Sequence, residues 1–543
     1  MTPYVIGIDV GTGSTRAGLF DGRGALLATA KRPIAMHREG GVIAEQGSAD
    51  IWRAVCEATR AAVREAGIDP VAVVGIGFDA TCSLVVLDAD GQGLPVGDPV
   101  HPDRDVIVWM DHRARTQAER INRMGHPVLR YVGGRISPEM QTPKLLWLRE
   151  NRPDVFARAA QFFDLTDFLT WKSTGSLDRS ACTVTCKWTY VRSEGGWSES
   201  YFRTIGLGDL ADEGFHRIGT RIVEPGTALG DGLTADAAEA LGLRPGTAVA
   251  AGLIDAHAGG LATVGAEGGA GDPTACLGYV FGTSSCTMTS TRDPVFVPGV
   301  WGPYESAMVP GFWLSEGGQS AAGAAIDQLL LLHPAGRALA AEADAAGQGA
   351  AHLLADRALA EVPFPSEAVR LADGVHVVPE FLGNRAPFGD PGARAVVMGL
   401  GMASDAASLL ALYVAGLCGL GYGLRQIVET QERHGAPVRR ISVSGGAGAH
   451  PLTRQILADA TGLSVEMVDC AEPVLLGSAM LGAVAAGLHA DLAAAMPAMA
   501  RVGLHCEPDP GARALHEARY RAFLALQGTA RAIREDCAAA ERS

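Results

Sequence analysis

Two short segments of this 543-residue chain combine glycine with hydroxyl side chains in a way that suits an anion. One is Asp9-Val10-Gly11-Thr12-Gly13-Ser14-Thr15, the other Phe281-Gly282-Thr283-Ser284-Ser285. Gly11 and Gly13 let backbone approach a ligand closely. Successive turn N–H groups form a nest, and Thr12, Ser14 and Thr15 offer hydroxyl donors. Asp9 ends an apolar run, where it can hold Mg²⁺ directly or through water. One such turn alone is an ordinary hairpin. A pair, one opening each half of the chain, suits a clamp on the β- and γ-phosphates of one nucleotide. Neither turn is a Walker loop. The first is not a dinucleotide fingerprint either, since Arg16 stands at the third glycine position and a strand follows in place of a helix.

Four further segments carry candidate chemistry. Ser444-Gly445-Gly446-Ala447-Gly448-Ala449-His450-Pro451 follows a β-branched strand and precedes a helix expected near Leu452. Small residues at Gly445, Gly446 and Ala447 leave room for a flat ring or a ribose, and the helix start favours phosphate. In Gly252-Leu253-Ile254-Asp255-Ala256-His257, an aspartate ends an apolar strand among small residues. Phosphoryl transfer needs a group that orients the nucleophile and takes its proton, and Asp255 has the type and position for it. The bland alternative is a helix cap. His257 taken alone reads as structural. Trp109-Met110-Asp111-His112-Arg113 offers an aromatic face to a sugar, with Asp111 and Arg113 as hydrogen-bonding groups, or else starts a helix. Glu316 and Gln319, in Leu314-Ser315-Glu316-Gly317-Gly318-Gln319-Ser320, either cap a helix or reach a cleft.

The elements that must position these residues read as α/β. Tyr4–Ile8, Thr15–Phe20 and Ala25–Ala30 are strands joined by turns, and a helix over Ser48–Ala66 stops before Gly67. Val71–Phe78 is a buried strand. A second cycle opens near residue 275 with the same strand, turn, strand shape. Gly265–Gly271 is a glycine-rich joint suited to a hinge. Residues 1–270 and 271–490 are therefore expected as two similar domains facing each other across a cleft, with 491–543 as a helical tail. That tail either packs on the first domain or meets a partner. Ala335–Ala360 reads as surface helices.

Composition narrows the classes. Hydrophobic residues make up 48% and charged residues 19%, as in an ordinary globular protein. A net charge of -15 with scattered Lys and Arg argues against nucleic acid and favours a neutral substrate. The N-terminus shows no secretory pattern, and the apolar run Leu409–Leu424 is expected as a buried core helix, so no membrane partner is expected. Ten cysteines without a CxxC pair fit reduced thiols in a cytoplasmic enzyme.

Over about residues 4 to 490 the chain resembles the FGGY carbohydrate kinases of the actin-like ATPase superfamily. The resemblance rests on the Asp9 turn, Phe163–Leu169 with Thr174-Gly175, the Asp255 strand end, Gly282-Thr283-Ser284, Pro379–Pro387 and the Gly445-Gly446 turn. It implies two RNase H-like domains, MgATP as phosphoryl donor, Asp255 as base and closure of the cleft. Thr81-Cys82-Ser83-Leu84-Val85 and Trp109–Ala114 look like the D-ribulokinase branch, and Lys187 and Glu316 match ketose contacts of L-ribulokinases. By that resemblance Asp79, Thr81, Cys82, Ser83, Trp109, Asp111, Lys187, Asp255, Glu316 and Gln319 contact a small sugar, D-ribulose phosphorylated at C5. Relatives suggest a homodimer. The alternatives are L-ribulose, D-xylulose or another polyol as substrate, or an actin-like ATPase or silent sugar-binding regulator.

Overall fold

The computed structural model describes residues 2–266 and 272–542; most of the glycine-rich joint, 267–271, lies outside the described residues. Apolar, β-branched runs broken by Gly turns form strands β1 (Tyr4–Val10), β2 (Ser14–Asp21) and β3 (Leu26–Pro33), followed by helix α1 (Ser48–Ala66). Gly67 ends α1 in the left-handed conformation. Strand β4 (Val73–Ala80) starts two residues later than Val71, because Pro70–Ala72 is a 3₁₀ turn capped by Asp69. Helix α2 (Ala181–Lys187), strands β5 (Ala248–Val249) and β6 (Leu253–Ile254), and helix α3 (Asp255–Val264) complete the parts that matter for the site. The sheet order is β5-β4-β1-β2-β3, with β6 also paired to β4. The β1–β2–β3 pairings are antiparallel, and β4 runs parallel to β1.

The second half repeats this plan. Strands β7 (Cys276–Phe281), β8 (Ser285–Thr291), β9 (Trp301–Glu305) and β10 (Trp313–Gln319) precede the long helix α4 (Ala406–Arg433). Strand β11 (Arg440–Ser444), helix α5 (Pro451–Thr461), strand β12 (Ser464–Val468) and helix α6 (Pro473–Ala485) follow, then strand β13 (Val502–Cys506) and helix α7 (Arg513–Arg542). The order β10-β8-β7-β11-β12 matches β3-β2-β1-β4-β5, with β9 and β13 added at the edges.

The expected buried core helix is present and longer than its apolar run, and two other expectations change. The helix around Leu409–Leu424 is 28 residues long, and by length and composition it would suit a membrane span, yet Leu409 to Leu424 is buried apart from Gly423. The last fifty residues are not all helical, since β13 extends the second sheet against β12. The tail helix α7 packs on α4 rather than on the first half: Tyr422 hydroxyl meets His516 Nδ1 at 2.9 Å, and Gln426 Nε2 donates to Gln527 Oε1 at 2.9 Å. The surface helices appear at Gly336–Ala345 and Ala350–Ala360.

A linear division at 270/271 also places α6 in the second half, but α6 packs on β1, β4 and α3. Glycine makes this possible. A β-carbon at Gly7, Gly75 or Gly77 would strike the α6 backbone at Leu475, Gly482 or Ser478, and one at Gly477 would strike Ala258 of α3. Helix and sheet therefore touch backbone to backbone, with no flexible side chain between them to give way. Gly77→Val is expected to destabilise the protein by about 3 kcal/mol or more, at or above the top of the usual overpacking range. Urea unfolding reads this, and a loss below about 1 kcal/mol would show that α6 can move away from the sheet.

Candidate active site

Strand register brings carboxylates together. Asp9 of β1 pairs directly with Asp79 of β4, Leu253 of β6 pairs with Asp79, and Asp255 follows two residues on at the start of α3. All three sit at strand ends, where parallel strands collect ligands, and Asp9 and Asp255 face the cleft. Arg16 on β2 donates to Asp9 Oδ2 from Nε at 2.8 Å and also from Nη2. Its Nη1 donates to Glu472 at the start of α6 at 2.8 Å, so the same guanidinium ties the site to that helix. Asp79 is fully buried; Oδ2 accepts from Ser478 Oγ at 2.5 Å and Oδ1 has no partner. Burial, then the neighbouring Asp9, raises the Asp79 carboxyl well above the usual range. The same two causes push Asp255 up to about 6. Arg16 thus pairs with Asp9, while His257 and Lys187 offset the charge of Asp255. The oxygen donors and the unpartnered Asp79 Oδ1 fit a divalent cation held through Asp9.

The two glycine turns close differently, the first over the four residues Gly11–Ser14 and the second over the three residues Gly282–Ser284. Gly11 N–H donates to Ser14 O and Gly282 N–H to Ser284 O, each at 3.0 Å. Gly13, Gly282 and Thr283 are exposed at the turn tips. Beyond the second turn, the third glycine segment follows β11. Gly445 has φ +95°, and a β-carbon there would strike Phe281 O, so only glycine fits. Ala447 then lines a mostly apolar cavity of about 150 Å³ with Phe281, Gly323, Ile326 and Tyr413. The helix after it offers less than expected, because Leu452 N–H already donates to His450 Nδ1 at 3.1 Å.

A second cavity, of about 290 Å³, lies between the carboxylates and the second sheet. Thr12, Thr81, Cys82, Trp109, Lys187, Asp255, Ser284 and Glu316 all line it, as does Asp9. Lys187 stands 5.1 Å from the Trp301 ring centre. Burial alone would raise the Glu316 carboxyl, but Lys187 and His257 hold it down at about 2, so it is ionised. His257 does more than fill space. Its Nε2 lies 3.4 Å from Glu316 Oε2, and its Nδ1 lies 3.1 Å from Cys182 Sγ on α2. Against burial, these two neighbours raise the imidazole, and the imidazole in turn lowers the Cys182 thiol.

Several expected contacts are not in the cleft. Asp111 is fully buried and pairs with Arg113 at 2.8 Å while accepting from Ala44 N–H at 2.7 Å. Ser83 is buried, and its Oγ accepts from Trp109 N–H at 3.1 Å. Gln319 is turned away: its Oε1 accepts from Tyr279 hydroxyl at 2.9 Å and its Nε2 donates to Leu420 O at 3.0 Å. The reason is strand alternation. In β10, Glu316 and Gln319 are three apart and lie on opposite faces. Thr15 is buried in β2, facing away from the turn that Ser14 closes. Asp79 sits behind Asp9 rather than on the cavity wall.

Conversely, Arg16, Glu139, Cys286, Trp301 and Arg385 line the cavity without having been singled out as site residues. Arg385 lies in the Pro379–Pro387 segment, which was legible as a motif. Glu139 and Trp301 carry no local signal; tertiary packing brings them in. The Asp111 correction is testable. Arg113 is 3% exposed and also pairs with Glu45, so Asp111→Ala leaves a buried, half-paired cation. The expected cost is about 3 kcal/mol in urea unfolding, the low end for a broken buried pair. A loss below about 1 kcal/mol would show that Glu45 alone neutralises Arg113.

Residues 4–262 match the N-terminal domain, and residues 277–486 the C-terminal domain, of the FGGY family of carbohydrate kinases. The chain is 45% identical over 536 residues to the FGGY carbohydrate kinase domain-containing protein of Homo sapiens, covering 96% of both. It is 38% identical to a D-ribulokinase of Saccharomyces cerevisiae, over 89% of this chain and 72% of that one. A xylulose kinase from Rhodospirillum rubrum has the same fold, with a TM-score of 0.80 at 23% identity, covering 98% of this chain and 99% of that one. With both of its domains matched along nearly their whole length, this chain belongs to the FGGY family of carbohydrate kinases.

Proposed function

We propose that this ATP-dependent carbohydrate kinase transfers the γ-phosphoryl group to the C5 hydroxyl of D-ribulose, giving D-ribulose 5-phosphate. The observation that carries the chemistry is Asp255, half-buried at a strand end on the same cavity as Thr12 of one glycine turn and Ser284 of the other, with Lys187 and Glu316 on its wall. Two features support the choice of sugar: the segment Thr81-Cys82-Ser83-Leu84-Val85 beside the cavity, and similarity to a protein named D-ribulokinase.

In this reading the backbone N–H groups at Thr12–Ser14 and Thr283–Ser284 hold the phosphates from two sides, and the adenine enters the cavity at Ala447. Mg²⁺, bound through Asp9, would draw charge from the phosphate oxygens. Asp255 receives the proton of the acceptor hydroxyl as that oxygen attacks. Lys187 and Glu316 fix the sugar so that the attacking oxygen and the phosphorus are aligned. Closing the two halves on the bound pair removes water that would otherwise compete as acceptor. The ten cysteines, all free in the structure, fit a reducing compartment, and we place the enzyme in the cytoplasm.

Sugar-dependent ADP release with MgATP tests the reading against D-ribulose, L-ribulose, D-xylulose, L-xylulose, ribitol and glycerol. D-ribulose is expected to give the highest kcat/KM. Preference for another sugar would discard the substrate and keep the mechanism, and ADP release blind to all of them would discard both. The base should also be visible in the pH profile. Asp255 must be ionised to accept a proton, and its carboxyl is pushed up to about 6. Hence kcat/KM for the sugar should rise with pH through about 6 and level off above it. Asp255→Asn should lower kcat by roughly 10³-fold or more with little change in KM for ATP. Turnover within tenfold of wild type would remove Asp255 from this role.

A further inference from the structure

Arg385 has no assigned role, yet its surroundings leave it incomplete. It reaches the cavity from the second half of the chain, on the loop between Pro379 and Pro391. Its hydrogen bonds are two long contacts from one nitrogen, Nη1 to Ser285 O at 3.5 Å and to Cys286 Sγ at 3.6 Å. No carboxylate among the described residues lies within ion-pair distance of it. Arg16, the other arginine on this cavity, is by contrast bound at both ends, to Asp9 and Glu472. A guanidinium carries five N–H donors in a rigid plane, and partial burial without acceptors is unfavourable unless a ligand supplies them.

The loop is held in place from behind. Gln527 on α7 donates to Glu380 Oε1 at 2.7 Å, and Asn384 Nδ2 donates to the same oxygen at 2.6 Å. Asn384 and Asp390 exchange two backbone hydrogen bonds of 2.9 and 2.8 Å. Arg534 of α7 binds Asp390, and Arg531 lies 4.0 Å from the Phe388 ring centre. So an under-used cation is carried on a well-braced loop, which is how a ligand contact is made stiff.

Position decides which ligand. Arg385 touches Cys286, past the phosphate turn rather than at its exposed tip, and stands 5.9 Å from the Trp301 ring that Lys187 also faces. Trp301 pairs across the strands with Glu316. Arg385 therefore shares the wall of Lys187 and Glu316, on the acceptor side of the cavity. We propose that Arg385 clamps two neighbouring oxygens of the ketose in its planar fork and thereby sets which pentulose epimer is turned over. This rests on the pentulose-kinase reading above. A fork that engages two oxygens at fixed spacing loses one of them when a single carbon is inverted, and an unpaired polar group in such a site discriminates strongly.

The test uses the full-length protein and compares D-ribulose with its C3 epimer D-xylulose, or another pair of epimers if the wild type prefers one of those. Arg385→Met should raise KM for the preferred ketose about tenfold or more and bring the two kcat/KM values together, while KM for ATP stays within about twofold. Arg385→Lys keeps the charge and loses the fork. It should recover part of the affinity but not the selectivity, and it decides the matter if the Met variant does not fold. Unchanged ketose KM and epimer ratio would overturn the proposal, as would an effect confined to KM for ATP. A wild type that accepts some other sugar leaves this test standing with that sugar and its epimer. A wild type indifferent to every sugar overturns this proposal together with the reading it rests on.

Discussion

The architecture is organised around a conflict that it does not resolve internally. Parallel pairing of β1 with β4 sets Asp9 beside Asp79, and β6 delivers Asp255 next to both. Carboxylates gathered out of water raise one another's proton affinity, and they are offset by Arg16 paired with Asp9 and by His257 and Lys187 acting on Asp255. The repulsion is tolerable because each group is held by a different element: Asp79 by Ser478 of α6, Asp9 by Arg16, Asp255 by the first amide of α3. A site left with excess negative charge is primed for a cation and for the positive end of a reaction, and a proton-accepting carboxylate near neutrality comes from the same cause. Loss of any one support would let the cluster relax by protonation or by movement.

The second sheet repeats the first, yet the two contribute differently. Both supply a glycine turn closed by a backbone hydrogen bond of 3.0 Å, over four residues in the first and three in the second. The first keeps its acids at the strand ends. At the register position of Asp9, the second has small or apolar residues instead, and it contributes Glu316 from β10 and Arg385 from a loop. Duplication of one fold has thus given two similar glycine turns and two different sets of charged side chains around one cavity. His257 links the two, since it lies one turn into α3, two residues past Asp255, and sits against Glu316 of the opposite sheet.

Residues whose roles depend on backbone shape were legible from sequence. Gly445 announces a turn that other residues would block, Gly11 and Gly282 mark hairpin turns, and α1 ran from Ser48 to Ala66 as its pattern required. Asp255 at a strand end was readable for the same reason. Legibility failed where a side chain's direction depended on element type or on a distant partner. Gln319 was grouped with Glu316 as a helix cap or a cleft contact, but in a strand a spacing of three separates faces. Asp111 looked like a sugar contact until Arg113 and the Ala44 amide claimed it. Glu139 and Trp301 arrive by packing of segments remote in sequence, and no local pattern marks them.

The seating of α6 on the first sheet bears on how the chain comes off the ribosome. Synthesis runs from the N-terminus, and the strands that carry Asp9 and Asp79 are complete by residue 80. Yet the helix covering their glycine-lined face lies at Pro473–Ala485, near the other end. Until that helix emerges, an apolar sheet face and a buried acid have no cover. The first half therefore stays unfinished for most of translation. The nascent chain would need to keep β1 and β4 from associating with other exposed strands, and their final closure would come in the last steps of synthesis.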